Sequence, residues 1–341
     1  MNALPITAFI ALCVIYGTSY AFVSCILGNA DEAALSVIRM IVACMSTWGY
    51  FLFRYLFEPG YKHTVRESIR TKATPIGKAF FCGIFSLGIP VTCITISQRS
   101  VPSTVVTLSQ PIIPLVTMVI AHFTLRDEKI SSQKLLLSLG DLFGAVLTMI
   151  PTFSSSQSNS SSSSSSTIIL DYLLLFISIL CFGAGSIYLK VFLGEAELTL
   201  SCCFSSSGAT LYTIVSSIIR VGLGTLFQQI SKIDGKYVFC IILLGIIYSC
   251  IPTFLFMYVV RTLGAVKANL TNFGQIVIGT IAGVFFLNEM DKYTVNMKIM
   301  TWFGVLVIVC CLLFEFMIDS QKEKESKFKD NESLIKDGNF I

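Results

Sequence analysis

The sequence predicts an all-α polytopic membrane protein with ten transmembrane helices, arranged as two inverted five-helix repeats. Three observations predict it. The 341 residues are 54% apolar and only 13% charged, with a mean hydropathy of +0.77, whereas a soluble globular protein is roughly a quarter charged. The apolar residues gather into stretches near the about 20 residues that a bilayer-spanning helix needs. And the two halves of the chain align with each other.

The stretches lie near 4–27, 34–57, 76–97, 102–125, 133–151, 168–190, 199–227, 237–260, 265–287 and 294–318. A segment in hydrocarbon must satisfy its own backbone, so each is expected to be a helix. Met1 to Ala30 carries no Lys or Arg, and its apolar run exceeds a signal-peptide core, so it reads as an uncleaved first span. The 12 cysteines include no Cys-x-x-Cys pair and fall almost entirely within spans, as small hydrophobes do. His63 and His122 are far apart in sequence. No metal, cofactor or disulfide is therefore expected. The net charge of +4 calls for no nucleic acid, because topology accounts for it.

With a cytoplasmic N-terminus, the cytoplasmic side collects Arg54, Lys62, Arg66, Arg70, Lys72, Lys78, Arg126, Lys129, Lys134, Lys190, Arg261, Lys267 and five tail lysines. The other side receives Arg99, Lys232, Lys236, Lys292 and Lys298, with Arg220 nearby. This bias follows the positive-inside rule. Both termini are expected in the cytoplasm, with the chain in an endomembrane (Golgi, lysosome or vacuole) or the plasma membrane. The serine-rich run "PTFSSSQSNSSSSSSSTIIL" then lies outside, and Asn159 within it begins a glycosylation sequon. The expected units are a first repeat over 1–150, a serine-rich linker over 151–167, a second repeat over 168–318 and a charged tail over 319–341. The tail's composition reads as disordered.

A shift of 162 residues superimposes "GIFSLGIPVTCITISQRSVPSTVVTLSQ" on "GIIYSCIPTFLFMYVVRTLGAVKANLTN". Gly83/Gly245, Pro90/Pro252 and Arg99/Arg261 are among the identities. With small slips, Glu128 meets Glu289 and Gly144 meets Gly304. Five spans per copy force the second copy to enter the membrane upside down. Inverted repeats of this kind are a transporter architecture, with the site near the midplane between the copies.

The halves resemble two EamA domains of the drug/metabolite transporter superfamily, which also contains the nucleotide-sugar and triose-phosphate transporters. "YGTSYAFV" (16–23) is similar to the first-span Trp-Gly-Ser-Asn-Phe pattern, with Tyr16 in place of Trp. "ALSVIRMIVA" (34–43) resembles the second-span pattern whose single Arg is Arg39 here. "VPSTVVTLSQPIIPLVTMVIAHFTLRDE" (101–128) is similar to the fourth span, and "RTLGAVKANL" (261–270) to its copy, with Lys267 replacing an Arg. Gln275 stands where that copy would have a proline, so the ninth helix is expected to be less kinked. The resemblance implies a ten-helix transporter.

The polar residues of the fourth and ninth spans are candidates for a substrate-binding face. Ser103, Thr107, Gln110 and Pro114 recur at helical spacing, as do Asn269, Asn272 and Gln275. The repeat pairs Thr107 with Asn269 and Gln110 with Asn272. An intramembrane Arg is a functional candidate by default, so Arg39 joins them, with snorkelling toward Asp31 or Glu32 as the other reading. Lys267 could bind an anion or snorkel, and Arg220 is read as snorkelling. Asp141 lies mid-span and could hold a coupling proton, or pack as a neutral hydrogen-bonding group. Pro90, Pro111, Pro114 and Pro252 should kink their helices. "DNESLI" resembles an acidic dileucine sorting signal built on Asp330, Leu334 and Ile335, which would bring a sorting adaptor to the tail.

The function expected is secondary transport of a small polar metabolite by alternating access. Arg39 and Lys267 tilt it toward an anionic or zwitterionic solute. A membrane-embedded enzyme would need a positioned nucleophile, base or metal, and the sequence offers no His–Asp pair or Cys/His cluster. A non-transporting regulatory membrane protein is the remaining alternative.

Overall fold

The computed structural model describes residues 3–27, 31–71, 75–98, 101, 103–125, 131–156, 165–287 and 294–338. The regular elements there are helical. The first half contains α1 (Ala3–Leu27), α2 (Glu32–Phe57), α3 (Tyr61–Arg70), α4 (Ile76–Gly83), α5 (Ile89–Ser97), α6 (Ser103–Ser109), α7 (Ile112–Thr124) and α8 (Ser132–Ser156). The second contains α9 (Ser165–Leu193), α10 (Leu198–Val221), α11 (Leu223–Ser231), α12 (Gly235–Gly245), α13 (Ile251–Leu263), α14 (Ala265–Asn269), α15 (Thr271–Leu287) and α16 (Val295–Gly338). A π-helical segment, Ile84–Gly88, joins α4 to α5, and another, Ile246–Cys250, joins α12 to α13.

Eight helices among the described residues are long and apolar enough to cross a membrane. Their outward faces carry residues such as Phe123 and Ile219, which are 84% and 77% exposed. Large apolar side chains left this bare fit a lipid surround. The chain is thus an all-α, multi-pass membrane protein.

The halves repeat one another in detail. The two π segments are offset by 162 residues. So are Gly60 and Gly222, both at positive φ (83° and 81°), each turning the chain into a short amphipathic helix, α3 or α11. Packing is exchanged between the halves in matching ways. α1 lies on α15 as α9 lies on α7, and α2 packs on α12 as α10 packs on α4. α8 and α16, the last helix of each half, pack on each other.

Glycines permit the closest of these contacts. A Cβ at Gly208 of α10 would overlap the Phe80 carbonyl, and one at Gly83 would overlap Ser205. On the α8–α16 seam, a Cβ at Gly144 would lie 2.9 Å from the Gly304 carbonyl, and one at Gly304 2.6 Å from that of Gly144. Small residues let membrane helices approach in this way.

α2 and α10 are also tied near both ends by polar side chains. Arg220 pairs with buried Glu32 at 3.3 Å, which replaces the snorkelling expected of Arg220. At the opposite ends, Arg54 donates to Thr199 Oγ1 at 2.8 Å and lies 3.7 Å from Glu197. Arg54 also bonds Glu58 at 2.6 Å, which holds that exposed carboxyl below the usual carboxylate range.

Four details differ from the sequence expectation. The seventh helix ends at Val221 rather than near 227, because Gly222 adopts φ 81° and starts α11. α8 extends to Ser156 and α9 starts at Ser165, so helix enters both ends of the serine linker. The tail, expected to be disordered, continues α16 as helix to Gly338. Its sequence spaces Glu323 with Lys327, Glu325 with Lys329 and Glu332 with Lys336, the i,i+4 order that favours a helix. Finally, the ninth span is broken despite lacking the proline, as described below.

Candidate functional site

A cavity of about 100 Å³ lies between the two helices that contain π segments. Its walls use equivalent positions of the two halves: Ser86 and Tyr248, Leu87 and Ser249, Val91 and Thr253 are all 162 apart. The cavity therefore sits on the pseudo-two-fold relation between the halves. A π segment carries one more residue than an α-helical turn would, and such segments recur at functional sites. Here each is followed by a proline, Pro90 or Pro252, at the second residue of the next helix.

Arg39 is held on the second π segment. The Tyr248 carbonyl accepts a hydrogen bond from Arg39 Nη2 at 3.2 Å, while Arg39 Nε donates to Ser249 Oγ at 2.7 Å. A cation from α2 is thereby anchored across the halves and lines the cavity.

The polar wall comes from the fourth span of each half, and both spans are broken. α6 gives way to α7 at Gln110–Pro111, and α14 to α15 at Leu270. The turns use matching bonds. Gln110 N–H donates to the Thr107 carbonyl and Ile113 N–H to that of Gln110; Leu270 N–H donates to Lys267 and Phe273 N–H to Leu270. In the second half the side chains help to break the helix. Asn272 donates to the Asn269 carbonyl at 2.8 Å and Thr271 to the Ala268 carbonyl at 2.7 Å, competing with the backbone ladder. The breaks are offset by 160 residues, as are Gly144 and Gly304. Gln110 therefore corresponds to Leu270 rather than to Asn272, and the 162 register holds only through the π segments.

Of the residues singled out from the sequence, Arg39, Gln110, Asn272, Gln275 and Pro252 meet at this cavity. Gln275 is 2% exposed, and its Nε2 has no hydrogen-bond partner among the described residues. Thr107, Lys267 and Asn269 are not among the lining residues. Asn269 is fully buried, and its amide donates to Thr117 Oγ1 at 2.9 Å and Ser186 Oγ at 2.7 Å. It joins α14 to α7 and α9. Asn269→Leu is expected to lower stability by about 1–3 kcal/mol, the cost of removing a buried hydrogen-bonding partner, and thermal melting in detergent measures it.

Pro111 caps α7 and Pro114 is buried in its first turn. Asp141 is fully buried on α8, away from the cavity lining. Asn159 lies outside the described residues, as do Arg99, Glu128 and Glu289. Asp330, Leu334 and Ile335 fall on α16. Sequence reasoning missed Tyr16, Ser86, Tyr248, Ser249 and Thr253 as cavity residues. The matched Gly83/Gly245 and Pro90/Pro252 bracket most of them and were the available signal.

Fold and cavity together describe a multi-pass membrane protein with pseudo-symmetric helical halves around a central chamber. Residues 3–150 match the model of the EamA-like transporter family. The match covers the first half of the chain and likens that half to a transporter family. That is a family of transporters, not of enzymes. Among the described residues no group of three or more His, Cys, Asp or Glu is placed to hold a metal ion. One protein crystal structure superposes with a TM-score of 0.61 at 13% identity, covering 90% of this chain and 96% of that one. At that identity the likeness concerns the fold alone. No curated protein matches.

Proposed function

We propose that the chain moves a small anionic or zwitterionic metabolite by alternating access, through the cavity between its halves. The observation that carries this reading is the cavity wall built from equivalent positions of both halves, with Arg39 of α2 anchored in it. Ten spans, as two inverted five-helix repeats, give the halves opposite orientations, so a rocking motion would expose the same wall to either side. Arg39 supplies the charge complement, and the Gln275 amide and Gln110 supply groups for solute oxygens. The volume is small beside the roughly 300–1,000 Å³ of drug-sized sites, which suits a compact solute in a closed conformation.

Counterflow with purified protein in liposomes tests the reading, using a panel of amino acids, organic phosphates, nucleosides and sugar nucleotides. Exchange of at least one anionic or zwitterionic member is expected. A monodisperse protein that exchanges none of them would favour the regulatory alternative. The proposed topology has both termini in the cytoplasm and the serine linker on the other face. In eukaryotic expression, Asn159→Gln should then abolish a glycosidase-sensitive gel shift. An unmodified linker open to protease from the cytoplasm would reverse the orientation. We also propose that Asp330, Leu334 and Ile335 direct sorting; an unchanged location of Leu334→Ala/Ile335→Ala would refute that.

A further inference from the structure

Two stripes run side by side along α3, the short amphipathic helix that follows Gly60. Tyr61, Val65 and Ile69 recur at every fourth residue, and so do Lys62, Arg66 and Arg70, one position on. Residues four apart share a helix face, so an apolar stripe adjoins a basic one. Tyr61 and Val65 are buried. The Tyr61 ring lies 6.1 Å from that of Phe51 on α2, and Arg54 Cζ lies 4.1 Å from its centre. The apolar stripe thus docks α3 on α2, and Ile69 at its far end is 47% exposed. Lys62, Arg66 and Arg70 are all exposed. Lys62 Nζ lies 5.4 Å from the Tyr55 ring centre, and none of the three is ion-paired with an acid among the described residues. The acid of α3, Glu67, lies on the other side of the helix, 3.6 Å from His63 Nδ1.

The fold alone does not call for the basic stripe. Like charges four residues apart weaken a helix. α11 follows Gly222 as α3 follows Gly60, and it carries no charged residue. Gly224 and Gln228 stand where α3 has Lys62 and Arg66, and Lys232, just past α11, is the one cation that matches, opposite Arg70. The exposed side chains of α11 include Leu223 and Phe227 instead. Equivalent helices at opposite ends of the fold therefore present different chemistry to their surroundings. For α3 the surroundings follow from α2. Phe53, Leu56 and Phe57 are exposed, Phe57 by 70%, so the last turns of α2 face hydrocarbon. Gly60 comes three residues after Phe57. Three residues span at most about 10 Å, comparable with the headgroup layer on one face of a bilayer. A basic stripe beside an apolar edge at that level suits a helix lying on an anionic membrane surface.

We propose that α3 docks on anionic lipid headgroups, with Lys62, Arg66 and Arg70 as the recognition stripe and Ile69 against the acyl-chain edge. The proposed topology gives α3 the cytoplasmic leaflet, whose lipids carry negative charge. The choice of leaflet rests on that topology, whereas the affinity for anionic lipid rests on α3 itself. A headgroup bound there anchors the end of α2 that Arg54 ties to α10.

Native mass spectrometry tests this by counting lipids on the purified chain released from neutral detergent micelles. The protein is titrated with phosphatidylserine or phosphatidylcholine. Wild type should bind phosphatidylserine about tenfold or more tightly. A basic residue at an anionic surface contributes about fivefold, so Lys62→Gln/Arg66→Gln/Arg70→Gln should abolish the preference. Arg66→Gln alone should lower it about fivefold, and it decides the matter if the triple variant is not monodisperse. Lys232→Gln, at the α11 counterpart of Arg70, should leave it unchanged. Equal binding of the two lipids by wild type overturns the proposal, as does a preference that survives in the α3 variants. A loss as large in Lys232→Gln would mean that overall charge acts rather than the stripe, and overturns it too. Displacement of phosphatidylserine by equimolar inorganic phosphate would assign the stripe to a free anion and overturn docking on lipid.

Discussion

Arg39→Ala is expected to weaken solute binding roughly 10- to 150-fold, from the about 1.5–3 kcal/mol of a charged hydrogen bond and the tenfold change per 1.4 kcal/mol. The loss should appear as a higher half-saturation concentration in counterflow exchange. Two neighbours make the effect specific to position as well as charge. Ser249 holds Nε, and the Tyr248 carbonyl holds Nη2. Arg39→Lys keeps the charge but cannot make both bonds with one fixed, planar fork, so it should recover only part of the loss. Full activity in both variants would mean that Arg39 is a packing residue.

Gly208→Val is expected to have the largest effect on folding. A Cβ there meets the Phe80 carbonyl, which belongs to the backbone of α4 and cannot swing aside. The cost should therefore exceed the about 1–3 kcal/mol of ordinary overpacking. Gly208 and Gly83 bring α10 and α4 together across the two halves, so separating them also deforms the π segment that follows α4. Loss of the monodisperse peak in detergent is the readout. Gly77→Ala, where an added Cβ meets nothing within 4 Å, is the control and should behave as wild type.

The apolar stretches were legible because a bilayer demands long runs, and the structure places helices along them. The Gly83/Gly245 and Pro90/Pro252 matches marked where the cavity would form, since Gly83 and Pro90 bracket one π segment and Gly245 and Pro252 the other. Ser86, Tyr248 and Ser249 were not legible as cavity residues: short polar side chains in an apolar run show no period of their own. The break at Leu270 was hidden for a different reason. It arises from side chains, Thr271 and Asn272, that take backbone carbonyls, whereas the sequence pattern pointed only to a missing proline. The Gly144/Gly304 match already carried the 160 register, but it lies beyond the break and did not mark where the register changes.

Alternating access through the central cavity is tested most directly by the accessibility of Ser86→Cys, a conservative change in the cavity wall. Membrane-impermeant thiol reagent is applied to sealed vesicles from either side, and the adduct at that residue is read by peptide mass spectrometry. Labelling from both sides, slowed by the solute that exchanges in counterflow, is the predicted result. Labelling confined to one face, or unaffected by the solute, would contradict it.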